Sequence, residues 1–121
     1  MNDVKILVVD DEENIRFLFK EELEEEGYSV EIAANGHEAI KKAKMTKYDV
    51  IVMDIKMPGM DGIQALNEIK NFNKEQMVIL CSAYGEFKQD FTSWISDAYV
   101  VKSADTSELK QTIKNMLSAR Y

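Results

Sequence analysis

The sequence predicts a single α/β domain in which helices cover both faces of a five-stranded parallel sheet. Short apolar runs alternate with segments of helical spacing five times along the 121 residues. The run from Val50 to Met53 is apolar at every position and three of its four residues are β-branched. Such a run is typical of a strand buried on both faces at the centre of a parallel sheet. Successive strands are expected to connect by right-handed crossovers.

Each predicted strand is a short apolar run bounded by polar or turn-forming residues. The first strand begins four residues from the start of the chain, and the last lies close to the final helix. The five predicted strands are Lys5–Asp10, Tyr28–Ala34, Asp49–Asp54, Met77–Cys81 and Ala98–Val101.

Helical spacing of apolar residues fills most of the sequence between the strands. Gly27 is expected to end the first helix, Asn35-Gly36 to form a turn before the second, and Asp105 or Ser107 to cap the last. The expected inward-facing residues are Ile15, Leu18, Phe19 and Leu23, then Ala39, Ile40 and Ala43, then Ile63, Leu66 and Ile69, and finally Leu109, Ile113, Met116 and Leu117. Between Gly85 and Asp97, aromatic residues fit helical spacing among weak helix formers, which predicts a short or mobile helix.

Composition excludes several classes of function. The formal net charge of −7 and the pI near 4.7 argue against binding to the phosphate backbone of DNA or RNA. No apolar run is long enough to cross a bilayer, and the first residues carry no signal-peptide pattern. The single cysteine, Cys81, is expected to be a small buried strand residue in a reducing compartment. We therefore expect a cytoplasmic protein without membrane insertion, and a monomer.

Polar side chains follow the ends of four of the predicted strands. Because the carboxyl ends of parallel strands meet at one edge of a sheet, Asp10, Asp11, Asp54, Ser82 and Lys102 should converge there. Crowded carboxylates repel one another unless a cation neutralises them, and hard oxygen ligands suit Mg²⁺ or Mn²⁺. A hydroxyl and an ammonium supply donors for an oxyanion. The set predicts a site that holds a phosphoryl group beside a divalent metal, with a carboxylate as nucleophile.

The loop after the central strand contains a rigid turn. In Met57-Pro58-Gly59-Met60 the only proline of the chain stands at the second position of a type II turn. Gly59 stands at the third, where φ is positive. The turn would lie directly beyond Asp54, at the edge where open α/β sheets place their chemistry.

The residues at the strand ends, together with Tyr99 and the run Met57-Pro58-Gly59-Met60-Asp61-Gly62, resemble the receiver domain of two-component response regulators. The resemblance covers essentially all 121 residues and is strongest to stand-alone receivers such as the sporulation phosphorelay intermediate. It implies the flavodoxin-like, doubly wound (βα)5 fold with strand order 2-1-3-4-5. It also implies a single receiver domain over residues 1–121, for which we expect no output domain.

The resemblance implies a role for each acidic residue of the site. Asp54 would accept a phosphoryl group from the phosphohistidine of a sensor histidine kinase. Asp11, Asp54 and the backbone carbonyl of Lys56 would bind Mg²⁺, and Asp10 would hold it through water. The protein would thus be a self-phosphorylating acceptor with weak hydrolysis of its aspartyl phosphate, and not an enzyme in the usual sense.

The resemblance also implies a switch and a docking surface. Lys102 would pair with the phosphoryl group, Ser82 would move to hydrogen-bond it, and Tyr99 would turn inward. The face formed by residues 85–103 would then change its affinity for partners or pass the phosphoryl group to a downstream phosphotransferase or effector. The residues expected to dock the kinase are Asn14, Ile15, Leu18, Ser103 and Ala104.

Two stretches depart from the receiver pattern. Most receivers have proline after the lysine, usually with a cis bond, whereas this chain has Ser103. A non-proline cis bond costs about 3 kcal/mol, so we expect either a trans bond or a strained exception, and the position of Lys102 depends on it. The Gly-Ala pair that often precedes the fifth strand is replaced by Ser96-Asp97-Ala98.

Other interpretations fit the residues less well. A haloacid-dehalogenase-type phosphatase needs a second aspartate two residues after the nucleophile, where this chain has Lys56. A nucleotide or flavin binder would need a glycine-rich loop after the first strand, where this chain has four acidic residues. An inert α/β domain would have to match five strand ends by chance. A receiver fold used as a phosphorylation-independent binding module is the remaining alternative.

Overall fold

The computed structural model describes residues 3–83, 96–103 and 105–120. The strands are β1 (Lys5–Val9), β2 (Ser29–Ala33), β3 (Val50–Asp54), β4 (Met77–Ser82) and β5 (Ala98–Val101). The helices of the described residues are α1 (Glu13–Glu25), α2 (Gly36–Met45), α3 (Gly62–Phe72) and α4 (Ser107–Arg120). Most of the helix predicted between Gly85 and Asp97 lies outside the described residues.

The strands form one parallel sheet in the order β2-β1-β3-β4-β5. This order confirms the predicted fold class. All five residues of β3 are buried, and Val52 pairs with Val8 of β1 on one side and Ile79 of β4 on the other. The central position of β3 places its last residue, Asp54, in the middle of the sheet edge.

Alternate residues of each strand build the cores on the two sides of the sheet. Leu7 and Ile51 belong to the cluster that packs under α2 and α3. Their neighbours Val8 and Val52 belong to the cluster under α1 and α4. Since helices cover both faces, the interior positions of the three central strands β1, β3 and β4 are apolar, and their polar side chains lie at the strand ends, whereas the edge strand β2 carries Glu31 at its middle.

The ends of the helices mostly follow the sequence signals, with one correction. Gly27 has a φ of +96° just after α1, a conformation that glycine adopts without strain. The predicted turn at Asn35-Gly36 is only partly correct, because Asn35 lies in the bend after β2 but Gly36 does not. Gly36 is the first residue of α2, and the Asn35 side chain caps the helix by accepting a hydrogen bond of 2.8 Å from the backbone N–H of Glu38.

The start of α4 is bound by Asp105, one of the two residues predicted to cap this helix. The Asp105 side chain accepts a hydrogen bond of 2.9 Å from the backbone N–H of Ser107. A hydrogen bond from the Ser107 side chain, together with this backbone bond, lowers the pKa of the Asp105 carboxyl. Within the described ranges, none of the helices combines the length and apolar character needed to span a bilayer.

Candidate functional site

The polar residues at the strand ends meet at one edge of the sheet, as predicted. Asp10 directly follows β1, and Asp54 and Ser82 are the last residues of β3 and β4. These three side chains belong to adjacent strands and are nearly inaccessible, with exposed fractions of 1%, 4% and 1%. Buried polar groups of this kind need partners, so the contacts around them define the site.

Lys102 connects two of the buried carboxylates. Its Nζ lies 2.7 Å from Oδ2 of Asp10 and 3.3 Å from Oδ1 of Asp54. Its backbone N–H donates a hydrogen bond of 2.6 Å to the carbonyl oxygen of Ser82, which fixes the chain where it leaves β5. One ammonium thus lies between two carboxylates on neighbouring strands, with the Lys102 side chain only 11% exposed.

The serine that follows Lys102 does not displace it. The described residues contain no cis peptide bond, so the bond from Lys102 to Ser103 is trans. Ser103 is exposed, and its Oγ accepts a hydrogen bond of 3.1 Å from the backbone N–H of Asp105. Lys102 reaches both carboxylates with this trans geometry. Ala104, which was expected to dock a partner, lies outside the described residues.

The loop after β1 is held by two further contacts to Asp10. Its Oδ1 accepts a hydrogen bond of 2.9 Å from the backbone N–H of Glu12, and its carbonyl oxygen accepts one of 2.7 Å from Nη1 of Arg16. Arg16 was not predicted as a site residue. The sequence feature that could have indicated this role is an arginine near the start of α1, close to the acidic end of β1. A guanidinium at that position can reach back to the loop.

Three acidic side chains of this loop lie close enough to share a cation. Carboxylate oxygens of Asp10, Asp11 and Glu12 all lie within 4.8 Å of one another. Asp10 and Asp11 were predicted as metal-site residues and Glu12 was not, and the Asp54 carboxylate is not part of this group. These hard oxygen donors, two of them on exposed residues that water can reach, fit the requirements of Mg²⁺ or Mn²⁺.

The electrostatics of Asp54 also favour a cation. Burial, together with the nearby charge of Asp10, raises the pKa of Asp54 to about 7, although Lys102 acts in the opposite direction. For Lys102, burial disfavours the charged form, but its contacts with Asp10 and Asp54 outweigh burial and raise its pKa. The ammonium therefore stays charged, while two carboxylates compete for it.

The residues on either side of the carboxylates are apolar or small. Cys81 pairs with Asp54 across the sheet and is buried as predicted; burial raises the pKa of its thiol to about 12, so it is not a reactive thiolate. Tyr99 is half-buried and packs against the core cluster under α2 and α3. Its position one residue into β5 places it on the strand that ends at Lys102.

The loop that follows Asp54 contains the predicted turn and is bonded to both β3 and α3. Gly59 has a φ of +78°, as the predicted type II turn requires. Lys56 is exposed, and Asp61 caps α3 in a reciprocal pair of hydrogen bonds with Gln64. Gly62 donates its N–H to the carbonyl oxygen of Ile55 at 2.8 Å, which holds the start of α3 against the end of β3.

The expected docking residues on α1 differ in accessibility. Asn14 is exposed, whereas Ile15 and Leu18 are half-buried and pack against the core cluster under α1 and α4. Ser103, which lies two residues beyond the end of β5, is exposed. Part of this apolar surface is therefore available to a partner, next to the loop that carries Asp10 and Asp11.

The comparison with protein families agrees with the geometry of this edge. The sequence profile described as "Response regulator receiver domain" matches residues 6–114. The chain belongs to this family. Receiver domains are phosphoacceptors of two-component systems and not catalytic enzymes in the usual sense.

Curated relatives of this receiver include both longer regulators and a protein of similar length. The transcriptional regulatory protein ResD of Bacillus subtilis is 40% identical over 119 residues, covering 96% of this chain but 49% of ResD. The sporulation initiation phosphotransferase F of Bacillus subtilis is 35% identical over 119 residues, covering 97% of this chain and 96% of that protein. The chain thus spans about half the length of one relative and nearly all of the other.

Solved structures of the same fold are also similar in sequence. The response regulator protein TrrA of Thermotoga maritima, in complex with Mg²⁺ and BeF, is 48% identical with a TM-score of 0.91, covering 93% of this chain and 98% of TrrA. TrrA in complex with the histidine kinase ThkA is 48% identical with a TM-score of 0.89, covering 94% of this chain and 98% of TrrA. The receiver fold is therefore shown at both the sequence and the structural level.

Proposed function

We propose that this receiver is a stand-alone response regulator of a two-component phosphorelay, in which Asp54 accepts a phosphoryl group from the phosphohistidine of a sensor histidine kinase. The observation that carries the proposal is the position of the Lys102 ammonium, 2.7 Å from Asp10 and 3.3 Å from Asp54. A carboxylate that accepts a phosphoryl group needs a fixed cation beside it, because the cation stabilises the negative charge that develops on the phosphoryl oxygens during the transfer. Lys102 has that place at the end of β5, two strands away from β3 in the sheet.

The acidic loop and the end of β3 would hold the divalent cation. Asp11, Asp54 and the backbone carbonyl of Lys56 are the proposed ligands, and Asp10 would act through water. A bound Mg²⁺ or Mn²⁺ neutralises the crowded carboxylates and the oxygens of the incoming phosphoryl group. The complex of TrrA with Mg²⁺ and BeF supports this assignment, as does the cluster of Asp10, Asp11 and Glu12 oxygens.

The chemical step requires only one side chain to form a bond. A carboxylate oxygen of Asp54 attacks the phosphorus of the donor in line with the phosphorus–nitrogen bond. The new oxygen–phosphorus bond forms as the phosphorus–nitrogen bond breaks, and the imidazole leaves with the electron pair. Lys102 pairs with the transferred phosphoryl oxygens, and the Ser82 hydroxyl donates a hydrogen bond to one of them. Because Asp54 is 4% exposed, water has restricted access to the product.

The proposed response to phosphorylation begins at Ser82 and Tyr99. Movement of the Ser82 hydroxyl toward the phosphoryl group frees space beside β5, and Tyr99 then turns inward. These two residues lie on paired strands, since Leu80 of β4 pairs with Tyr99 itself. The face formed by residues 85–103 would consequently change its affinity for a downstream effector or phosphotransferase.

The kinase would dock beside the acidic loop. Asn14, Ile15, Leu18, Ser103 and Ala104 are the proposed contacts, and the complex of TrrA with the histidine kinase ThkA supports this kind of partner. We further propose that the receiver acts as a single domain over residues 1–121, as a monomer in the cytoplasm. The net charge of −7 supports a protein partner over nucleic acid.

The test is phosphorylation by phosphoramidate, whose phosphorus–nitrogen bond resembles that of phosphohistidine. The wild-type protein is incubated with phosphoramidate and Mg²⁺, and its intact mass is followed with time beside the variants Asp54→Asn and Lys102→Met. Asp3→Asn, which replaces an exposed carboxylate near the start of the chain, is the matched control. We expect the wild type and Asp3→Asn to gain about 80 Da, the mass of one phosphoryl group, and Asp54→Asn to gain none. Lys102→Met should react at least about tenfold more slowly.

Two results would contradict the proposal. Equal phosphorylation of the wild type and Asp54→Asn would place the acceptor elsewhere. The absence of any mass gain in the wild type, with EDTA and Mg²⁺ giving identical spectra, would indicate a receiver fold that binds partners without phosphorylation.

A further inference from the structure

The start of β5 is fastened to β4 by Asp97. The backbone N–H of Asp97 donates a hydrogen bond of 2.9 Å to the carbonyl oxygen of Val78. In return, Oδ2 of Asp97 accepts a hydrogen bond of 2.7 Å from the backbone N–H of Val78. The side chain therefore continues the ladder between β4 and β5 beyond the first paired residues, Ile79 and Ala98. Asp97 belongs to the stretch Ser96-Asp97-Ala98 that departs from the receiver pattern.

The same carboxylate is bound by the end of α3. Nζ of Lys70 lies 2.9 Å from Oδ2 of Asp97 and donates a second hydrogen bond of 2.6 Å to the carbonyl oxygen of Gln76. The Lys70 side chain is 19% exposed and that of Asp97 36% exposed. We call the contacts of Lys70 and Asp97 the Lys70–Asp97 clasp. It joins α3, β4 and β5 at the edge of the sheet opposite the site.

Two of the three elements that the clasp joins, α3 and β5, lead to Asp54 and to Lys102. α3 begins at Gly62, whose N–H binds the carbonyl oxygen of Ile55 directly after Asp54. β5 ends just before Lys102, whose ammonium lies 3.3 Å from Asp54. Asp54 therefore lies beside the first residue of α3, and Lys102 follows the last residue of β5. The opposite ends of this helix and this strand are joined by Lys70 and Asp97. A helix and a strand fixed at both ends can rotate or slide less against each other than when fixed at one end only.

The strand β5 needs such a tie more than the others do. It is an edge strand of four residues, and three of the four are only half-buried. Short edge strands with few buried contacts open locally at low free-energy cost. Phosphorylation, as proposed above, changes the partners of Lys102 at the far end of this strand, so a fixed start of β5 would keep Lys102 in reach of Asp54.

We propose that Lys70 and Asp97 are positioning residues for phosphoryl transfer: the clasp fixes the start of β5 and thereby holds Lys102 against Asp54. The proposal rests on the proposed function of Asp54 as acceptor. It assigns no metal-binding role to the clasp, because the proposed metal ligands lie on the loops after β1 and β3. Loss of the clasp should slow phosphoryl transfer without changing the Mg²⁺ concentration needed for half-maximal rate.

The test combines hydrogen exchange with phosphorylation kinetics on Lys70→Met and Asp97→Ala. Lys110→Met is the matched control. Lys110 forms an ion pair of 2.7 Å with Glu22 on α1, and the exposed fractions of these two side chains are similar to those of Lys70 and Asp97. Neither residue of this control pair belongs to β5. In the clasp variants we expect amide exchange of residues 98–102 to rise about tenfold and the phosphoramidate rate to fall about fivefold. Lys110→Met should leave both unchanged. Lys70→Arg, which keeps a donor for Asp97, should restore most of the rate.

Each alternative result has a definite meaning. Wild-type phosphorylation rates in both clasp variants, or an equal loss of rate in Lys110→Met, would overturn the proposal. A raised Mg²⁺ requirement in the clasp variants would also overturn it, since the effect would then act through the metal ligands. If even the wild-type protein gains no phosphoryl group, the proposed function fails, whereas unchanged exchange of residues 98–102 in the clasp variants refutes the clasp alone.

Discussion

Gly62 lies so close to the backbone of Asp54 that its replacement by alanine should displace the site without removing any reactive group. A β-carbon on Gly62 would lie 2.0 Å from the carbonyl oxygen of Asp54 and 2.9 Å from Cα of Ile55. Both atoms belong to the backbone, so no side chain can rotate away. Gly62→Ala therefore requires α3 and the end of β3 to move apart.

The size of the displacement follows from the contact distance. β-Carbons do not approach other heavy atoms closer than 3.0 Å, so the separation must increase by about 1 Å. Overpacking of this kind costs about 1–3 kcal/mol, and the hydrogen bond from Gly62 to Ile55 adds about 1 kcal/mol if it breaks. We expect Gly62→Ala to lower the free energy of unfolding by roughly 3 kcal/mol. A shift of about 1 Å at the acceptor should slow phosphorylation by up to about 100-fold.

Urea unfolding and the rate of mass gain with phosphoramidate measure the two effects. Gly27→Ala is the control, because Gly27 has a φ of +96° but no heavy atom within 4 Å of an added β-carbon. Gly27→Ala should lower the free energy of unfolding only by the cost of placing alanine in the left-handed conformation, about 1–2 kcal/mol. The rate of phosphorylation should not change. The reasoning is refuted if Gly62→Ala unfolds within about 0.5 kcal/mol of the wild type and reacts at the same rate.

Three further predictions concern the charges around the site and between the helices. Arg16→Ala should raise the Mg²⁺ concentration needed for half-maximal phosphorylation about tenfold, because the guanidinium holds the carbonyl of Asp10; an unchanged requirement would exclude this role. In EDTA at pH 8, Asp54→Asn should raise the free energy of unfolding by about 1–2 kcal/mol. Burial and the charge of Asp10 raise the pKa of Asp54 from 3.8 to about 7, so ionisation of Asp54 lowers the stability of the folded protein as the pH rises from 3.8 through about 7. A loss of stability in urea unfolding would contradict this. The hydrogen bond with Lys110 lowers the pKa of Glu22 below its usual 4.5, so Glu22→Gln should destabilise the protein at pH 7, and the difference should shrink as the pH falls from 4.5 through the lowered pKa. A difference that does not change with pH would disprove the linkage.

The sheet could be predicted from the sequence because its strands carry an unambiguous signal. The run Val50–Met53 is apolar throughout, and a strand of that kind must be covered on both faces. The convergence of Asp10, Asp54, Ser82 and Lys102 followed from the parallel direction of the strands. The error at Asn35-Gly36 has a local cause. An asparagine before a glycine favours both a turn and a helix cap, and the hydrogen bond to Glu38 that decides between them is not visible in the pattern.

Contacts between residues far apart in the chain could not be predicted from the sequence. Nothing in the sequence near Lys70 indicates that it binds Asp97, which is 27 residues away. The stretch Ser96-Asp97-Ala98 was recognised only as a departure from the receiver pattern, whereas the structure gives Asp97 three hydrogen-bonding contacts. The replacement of proline by Ser103 left the position of Lys102 open, and the ion pairs with Asp10 and Asp54 resolve it.

The central claim is that the carboxylate of Asp54 becomes the acyl phosphate, and direct localisation of the product tests it. Borohydride reduces an aspartyl phosphate to homoserine, so the phosphorylated protein can be reduced, digested and sequenced by mass spectrometry. We predict homoserine at position 54 only, formed only when Mg²⁺ is present during phosphorylation. Homoserine at Asp10 or Asp11, or a phosphoryl group that survives on a hydroxyl or a nitrogen while position 54 remains aspartate, would contradict the account.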